Sequence, residues 1–148
     1  MEWYLKAADH GDPKAQYSIG VLYSNGEGVP QDYQKAMGWY LKAANQEHAD
    51  VFFNIGVMYQ NGKGVPEDYQ KAMDWYLRGA DHGDYRAQYN IGVLYYEGKG
   101  VPQDYQTAME WYLKAADQGH ITAQYNIGVC TIMEKVFFRT TRELWNGT

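Results

Sequence analysis

The chain has 148 residues and a formal net charge of −5, with 13 Lys and Arg against 18 Asp and Glu. Because nucleic acids and anionic membranes attract clustered positive charge, an acidic chain with interspersed charges argues against binding to either surface. The single cysteine, Cys130, excludes an internal disulfide framework, and no apolar run approaches the ~18 residues that span a bilayer. We therefore expect a cytoplasmic protein with no nucleic-acid partner and no membrane span.

The sequence repeats with a period of 36 residues from Met1 to Val129. A fixed period of this size is typical of arrays in which each unit buries its apolar face against its neighbours. The columns that return are Trp3, Trp39, Trp75 and Trp111, Gly20, Gly56, Gly92 and Gly128, and Pro30, Pro66 and Pro102. The repeat predicts a single solenoid over residues 1–148.

The first residues align with the second half of a helix in the later repeats, since Met1 occupies the column of Met109. We expect either a capping helix or, our preferred interpretation, a piece of a longer array. Such an end exposes apolar side chains, here Trp3 with Tyr4 or Leu5. It also predicts end-to-end self-association of copies.

Each full repeat predicts two helices joined by a glycine-rich turn. The first is predicted over residues 14–25, 50–61, 86–97 and from 122 onward, and the second over residues 31–45, 67–81 and 103–117. Gly26 follows the first helix, where a left-handed residue closes a helix at least cost. Pro30 and Asp32 are placed in the first turn of the second helix. There the missing amide hydrogen of proline is harmless, and a carboxylate is stabilised by the positive end of the helix dipole.

The connections are short, so consecutive helices are expected to be antiparallel neighbours. The predicted organisation is a partial repeat over 1–14, full repeats over 15–50, 51–86 and 87–122, and a partial repeat with a divergent tail over 123–148. We expect Trp39, Trp75 and Trp111 in equivalent, largely buried environments. Glu47 stands where other repeats have glycine, which predicts a strained left-handed residue.

After Val129 the expected glycines and proline are replaced. Without these stop signals, the helix that begins near Thr122 is predicted to continue toward Leu144, with Ile132, Val136 and Phe137 available to cover the end of the stack. The other interpretation is a tail that arises from a shifted reading frame or an appended segment.

These columns resemble the Sel-one-like repeat (SLR) family, a relative of the tetratricopeptide repeats. In the third repeat its marks are Ala87, Ile91-Gly92, Tyr95, Gly98-Lys99-Gly100-Val101, Asp104, Ala108, Trp111-Tyr112 and Ala115-Ala116. The resemblance implies an all-α fold, a right-handed α/α superhelical solenoid of antiparallel helix pairs. It also implies a scaffold or adaptor in signalling, quality control or bacterial host contact. Secreted cysteine-rich members linked to β-lactam hydrolysis form an alternative, which the single Cys130 disfavours.

The sequence shows no catalytic or metal-binding pattern. A penicillin-recognising serine hydrolase needs lysine three residues after its serine, whereas Ser18 and Ser24 have valine and glutamate there. The histidines occupy two separate columns, His10 with His82 and His48 with His120, too far apart along the array to share one ion. We therefore predict exposed loop histidines, no enzyme activity, no metal and no cofactor.

The first helix of each repeat carries apolar residues on two faces, and one face suffices for packing. By resemblance to tetratricopeptide arrays, the second face lines a concave groove that binds a partner peptide or helix. The predicted groove residues are Tyr17, Val21, Phe53, Asn54, Val57, Tyr89, Asn90, Val93, Tyr96, Tyr125, Asn126 and Val129. Two alternatives stay open. The aromatic rings pack against the neighbouring first helix while asparagine satisfies local backbone, or they stack single-stranded RNA bases, which the acidic balance opposes.

Overall fold

The computed structural model describes the backbone of residues 2–146, and the side chains of that range except at positions 137, 138, 140, 141 and 143–146. Its described residues form eight helices and no strand. The helices are α1 (Glu2–Asp9), α2 (Pro13–Asn25), α3 (Tyr33–Ala44), α4 (Ala49–Asn61), α5 (Tyr69–Asp81), α6 (Tyr85–Glu97), α7 (Tyr105–Ala116) and α8 (Ile121–Asn146). One compact unit holds α1 to α5 and a second holds α6 to α8. The predicted all-α architecture is confirmed.

The even-numbered helices α2, α4 and α6 are the predicted first helices and end where glycine was expected to end them. Gly26 has φ 72° and its amide donates to the Leu22 carbonyl. Gly62 closes α4 in the same way, with φ 62°. Glu47 adopts φ 55°, so the predicted left-handed glutamate is confirmed.

The second helices α3, α5 and α7 begin two residues later than predicted. Asp32 precedes α3 with extended backbone, and its carboxylate accepts a hydrogen bond from the Lys35 amide at 3.0 Å. Asp68 and Asp104 cap α5 and α7 in the same position. The placement of these aspartates in the first helical turn was wrong, because a short carboxylate reaches the free amides of a helix from the residue before it.

Each helix packs against the next one within its unit. Small residues permit the close approach: Ala36, Ala72 and Ala108 are fully buried. A Cβ built on Gly20 would lie 2.5 Å from the ring of Tyr40. The tyrosine of the second helix therefore lies directly over the backbone of the first.

The tryptophans of the second helices are mostly but not fully buried, in agreement with the prediction of largely buried environments. Their surroundings are also equivalent, because each ring is covered by a cation three residues further along the same helix. The ammonium of Lys42 lies 4.0 Å from the Trp39 ring, and that of Lys114 lies 3.9 Å from Trp111. The outward side of each ring is thus shielded by a basic side chain that keeps its charge in water.

Helix α8 runs for 26 residues, as the loss of the glycine and proline stop signals predicts. Ile132 and Val136 are 62% and 52% exposed, so these two side chains do not bury themselves over the end of the stack. The predicted contribution of Phe137 lies outside the described side chains.

Candidate functional site

The first unit contains a groove of ≈ 260 Å³ between α2 and α4. All the predicted groove residues of this unit line it, namely Tyr17, Val21, Phe53, Asn54 and Val57. Each of them is half-buried. The groove forms because residues four apart on a helix share a face, and two first helices present that face side by side.

The aromatic residues of this face also pack inside the unit. The rings of Tyr17 and Tyr40 have centroids 5.9 Å apart, and those of Phe53 and Tyr76 lie 6.1 Å apart. The packing alternative is therefore correct in part: the rings pack on the following second helix, and Tyr17 also contacts the neighbouring first helix through the side chain of Asn54. The glycine column brings that tyrosine close to the first helix, as at Gly20 and Tyr40.

Asn54 bonds side chains in this groove and not the local backbone. Its Nδ2 donates to the hydroxyls of Tyr17 and Tyr40, both at 3.4 Å, which is long for a hydrogen bond. Burial raises the pKa of Tyr40 to about 12, so its hydroxyl stays neutral under physiological conditions. The asparagine thereby links a tyrosine of α2 to a tyrosine of α3.

The charge of the groove comes from one edge. Of the described residues that line it, Lys63 alone is charged at neutral pH. Its ammonium lies 5.3 Å from the ring of Tyr33. The groove therefore combines aromatic and aliphatic side chains with the polar Ser24, Asn25 and Asn54, and its described cation lies on the turn that follows α4.

The second unit repeats part of this arrangement with its own predicted residues. The ring of Tyr89 lies 5.5 Å from that of Tyr112 in a tilted contact, and its hydroxyl accepts a hydrogen bond from Asn126 Nδ2 at 3.2 Å. Tyr96 lies 5.2 Å from the ring of Tyr105, and burial raises its pKa. Tyr125 is 72% exposed on α8.

The remaining predicted residues of this unit, Asn90, Val93 and Val129, are half-buried. Val93 packs with Tyr89 and Tyr96 against the buried cluster that includes Cys130.

Two histidines are not the exposed loop residues that the sequence predicted. His48 meets the ring of Tyr17 edge-on at 5.2 Å, and His120 lies 4.6 Å from the ring of Tyr89. His120 Nδ1 also accepts the amide of Ala123 and so caps α8. His10 is exposed as expected.

Sequence reasoning missed a set of side-chain pairs that link each first helix to the end of its second helix. Gln46 Nε2 donates to Gln16 Oε1 at 2.9 Å, and the repeat of the second unit pairs Gln118 with Gln88 at 3.0 Å. In the intervening repeat both glutamines are replaced, and Phe52 lies 5.1 Å from His82. The signal for this contact was the joint change of two columns 30 residues apart.

No group of three or more His, Cys, Asp or Glu side chains in the described part of the chain is arranged to hold a metal ion. Among the helices described, none combines the length and hydrophobicity needed to cross a bilayer.

The repeats are similar to those of known proteins. The Sel1 repeat model matches residues 1–12, 13–48, 53–84 and 86–120. No curated protein matches the sequence.

The chain is also similar to solved structures. One is c5321, a protective antigen of uropathogenic Escherichia coli that displays an SLR fold, at 44% identity and a TM-score of 0.81 over 83% of this chain and 26% of that one. Another is a Sel1 repeat protein from Oxalobacter formigenes, at 40% identity and a TM-score of 0.81 over 87% of this chain and 53% of that one. Helicobacter pylori cysteine rich protein B shares 28% identity at a TM-score of 0.63, over 82% of this chain and 87% of that one. The chain spans about a quarter and about half of the first two, and the predicted SLR solenoid fold is confirmed.

Proposed function

This chain belongs to the Sel1 repeat family, and we propose that it is a non-enzymatic scaffold whose first unit holds a segment of a partner protein between α2 and α4. Proteins with these repeats are typically scaffolds for protein interactions. The observation that carries the proposal is the groove itself, in which half-buried Tyr17 and Phe53 stand beside Val21 and Val57.

The aromatic walls suit a docking role because their orientation is already set. Tyr17 is held by Tyr40, by His48 and by the amide of Asn54. A ring that is fixed before binding loses little conformational entropy when a partner covers it, and such aromatic anchors dominate many interfaces.

The size of the groove favours side chains of a peptide over a small molecule. Its ≈ 260 Å³ lies below the ~300–1,000 Å³ of most small-molecule pockets. We infer that one or two apolar side chains of a partner helix or extended segment enter it. Lys63 at the edge favours an acidic residue next to those side chains.

The second unit provides equivalent positions for a further contact with the partner. These are Tyr89, Asn90, Val93, Tyr96, Tyr125, Asn126 and Val129. Their half-buried or exposed side chains repeat the chemistry of the first groove, and this supports a partner that uses the same kind of anchor in both units.

Site-specific photo-crosslinking tests the proposal and identifies the partner. A photo-reactive residue replaces Val57 in the groove or Gly38 on α3, where an added Cβ meets open space. Extract of the source cells is irradiated with each variant, and the adducts are identified by mass spectrometry. We expect a defined protein adduct at position 57 and not at position 38. Adducts that form at position 38 alone would contradict the groove. The groove would also be contradicted if a protein that the parent chain captures gave no adduct at position 57.

A further inference from the structure

The end of α4 brings an asparagine directly before a glycine, as Asn61-Gly62. The same pair occurs as Asn25-Gly26 and as Asn146-Gly147. Because glycine has no Cβ, its backbone nitrogen approaches the Cγ of the preceding asparagine without a steric barrier. Such a pair is the sequence most prone to deamidation, the spontaneous loss of ammonia from the side-chain amide.

The Asn61-Gly62 bond lies where α4 ends and both residues are exposed to water. The Asn61 amide donates to the Val57 carbonyl at 3.0 Å. The Gly62 amide shares the Met58 carbonyl with the amide of Lys63. Because the last turn of a helix frays, these bonds open more readily than those within the helix. Opening frees the Gly62 nitrogen and the Asn61 side chain together.

The charges beside Asn61 and Asn25 are opposite. Lys63 follows Asn61 by two residues. Glu27 follows Asn25 by two residues, and its carboxylate accepts a hydrogen bond from Asn25 Nδ2 at 2.8 Å. Attack by the glycine nitrogen requires loss of its proton and develops negative charge at the asparagine amide. A nearby ammonium stabilises this charge and a nearby carboxylate opposes it, so Asn61 is the more reactive of the two.

A carboxylate at position 61 would have a partner two residues along the chain. In the third repeat the equivalent residue is already acidic, and Glu97 Oε2 lies 2.8 Å from Lys99 Nζ. The contact between Asn25 and Glu27 shows that a side chain as short as asparagine reaches the residue two positions further on at this turn. The same turn after α4 therefore allows a carboxylate at position 61 to pair with the lysine that follows.

We propose that Asn61 is a deamidation site and that its product pairs with Lys63, the described cation of the groove. The Gly62 nitrogen loses its proton and bonds to Asn61 Cγ, the Cγ–Nδ2 bond breaks, and ammonia departs from a five-membered succinimide ring. Water then opens the ring at either carbonyl and yields aspartate or isoaspartate, each with one carboxylate.

The reaction changes the charge of the groove edge. Lys63 now lies 5.3 Å from the ring of Tyr33, and the new carboxylate draws it away and neutralises it. The groove then no longer favours an acidic residue of the partner. This consequence rests on the groove proposal, whereas the reaction and the ion pair do not.

Peptide mapping of the aged full chain by tandem mass spectrometry tests the reaction. The chain is incubated at mildly alkaline pH, and conversion is measured at Asn61 and Asn25. Asn54 is the internal reference, because it lies within α4 and isoleucine follows it. Trypsin places Asn146 on another peptide, so its conversion does not interfere. We expect Asn61 to convert about threefold faster than Asn25, because the two neighbouring charges act in opposite directions through water.

Two charge substitutions provide matched controls. Lys63→Glu gives Asn61 the neighbour that Asn25 has, and Glu27→Lys gives Asn25 the neighbour that Asn61 has. Both residue types already occur in this column of the repeat. We expect the first to slow conversion at Asn61 and the second to accelerate conversion at Asn25, each about threefold. Rates that follow neither substitution, or conversion of Asn61 only after the chain is unfolded in urea, would overturn the site.

Asn61→Asp tests the ion pair without any partner protein. A carboxylate beside Lys63 stabilises the protonated amine, so acetylation of Lys63 by an activated ester is expected to be about twofold slower than in the parent. Lys71 is the reference in the same sample, because its ammonium lies 3.6 Å from Asp68 and far less of its surroundings change. Unchanged acetylation of Lys63 would overturn the pair. Neither measurement contains a partner, so a failure of the groove proposal leaves both results intact.

Discussion

At the scale of single residues, the glycines of the first helices are explained by the tyrosines that cover them. A Cβ on Gly56 would lie 2.4 Å from the Tyr76 ring, and a Cβ on Gly92 would lie 2.6 Å from Tyr112. Gly128 has the same position in its repeat and meets nothing. The three glycines are therefore alike in sequence and unlike in their packing.

Gly92→Ala is expected to lower stability, because overpacking of a dense contact costs ~1–3 kcal/mol and exceeds the gain in helix propensity. Gly128→Ala is expected to be neutral or to stabilise the helix by up to ~1 kcal/mol. Thermal unfolding of both variants followed by circular dichroism measures the difference. Equal shifts of the midpoint would show that the tyrosine ring yields to the methyl group.

Glu47→Gly is expected to stabilise the first unit. The left-handed conformation at φ 55° costs a non-glycine residue ~1–2 kcal/mol, whereas an exposed ion pair contributes ~0.2–1 kcal/mol. The glutamate carboxylate lies 2.9 Å from Arg78, and this pair is lost in the variant. The expected net gain is ~0.5–1 kcal/mol in urea unfolding. A loss of stability would mean that the contact with Arg78 outweighs the backbone strain.

The capping aspartates predict a loss of stability in acid. Backbone amide donors lower the pKa of Asp32, Asp68 and Asp104 in the folded chain. A carboxyl with a lowered folded pKa contributes stability above its unfolded pKa of about 3.9, and this contribution disappears as the pH falls through the folded value.

We expect the melting temperature to fall as the pH is lowered from about 5 to about 2, a range that brackets the titration of aspartate at about 3.9. Replacing the three capping aspartates by asparagine keeps a cap and removes the titrating group. The triple variant should therefore show a smaller fall. An identical pH profile would assign the acid sensitivity to other carboxyls.

At the scale of the helices, a first helix has two separate duties. Its inner face packs through Ala87, Ile91 and Leu94, all fully buried. Its second face holds the half-buried Tyr89 and Val93, which touch a neighbouring helix and keep some exposure. Mutations of the aromatic residues on this face therefore affect both packing and any partner, and the valines are better probes of binding alone.

Val57→Asp is expected to weaken partner binding by ~1–3 kcal/mol, because its carboxylate has to lose water when an apolar partner side chain enters the groove and competes with an acidic partner residue for Lys63. Gly38→Asp on α3 is the control, since a side chain there meets open space. Lys42 is a poorer control because its ammonium lies 4.0 Å from the Trp39 ring. Isothermal calorimetry with the crosslinked partner measures the effect. Equal affinity of the Val57 variant and the parent, with unchanged helix content, would exclude the groove.

The double change Tyr89→Ala with Tyr96→Ala is expected to weaken the contact of the second unit on the same scale of ~1–3 kcal/mol. Tyr89 contacts Tyr112 and His120, so its removal also loosens the packing of α6. Affinity has to be measured together with helix content. A loss of affinity that follows only the loss of helix would contradict a direct role in binding.

At the scale of the whole molecule, two compact units each build a core of buried alanine, aromatic and aliphatic side chains. In a repeat array such cores depend on neighbours along the chain, and stability is a sum of local terms. Relatives with the same repeats are longer, and this chain covers 26% of one and 53% of another. The functional unit that we propose is accordingly the groove within the first unit.

The sequence by itself determined the helices and the glycine stops of the first helices, because these depend on residues within a few positions of each other. Gly26 ends α2 and the loss of such glycines lets α8 continue, as predicted. It also determined which residues share the groove face, since Tyr17 and Val21 are one helical turn apart.

Only the tertiary structure decided what those faces touch. Asn54 bonds tyrosines 14 and 37 residues away, and His48 packs on Tyr17. The partial exposure of Trp39 likewise depends on how the second helix is oriented relative to its neighbours. Such contacts join residues that are distant in the chain, so they depend on the distance and angle between packed helices, which local propensity does not specify.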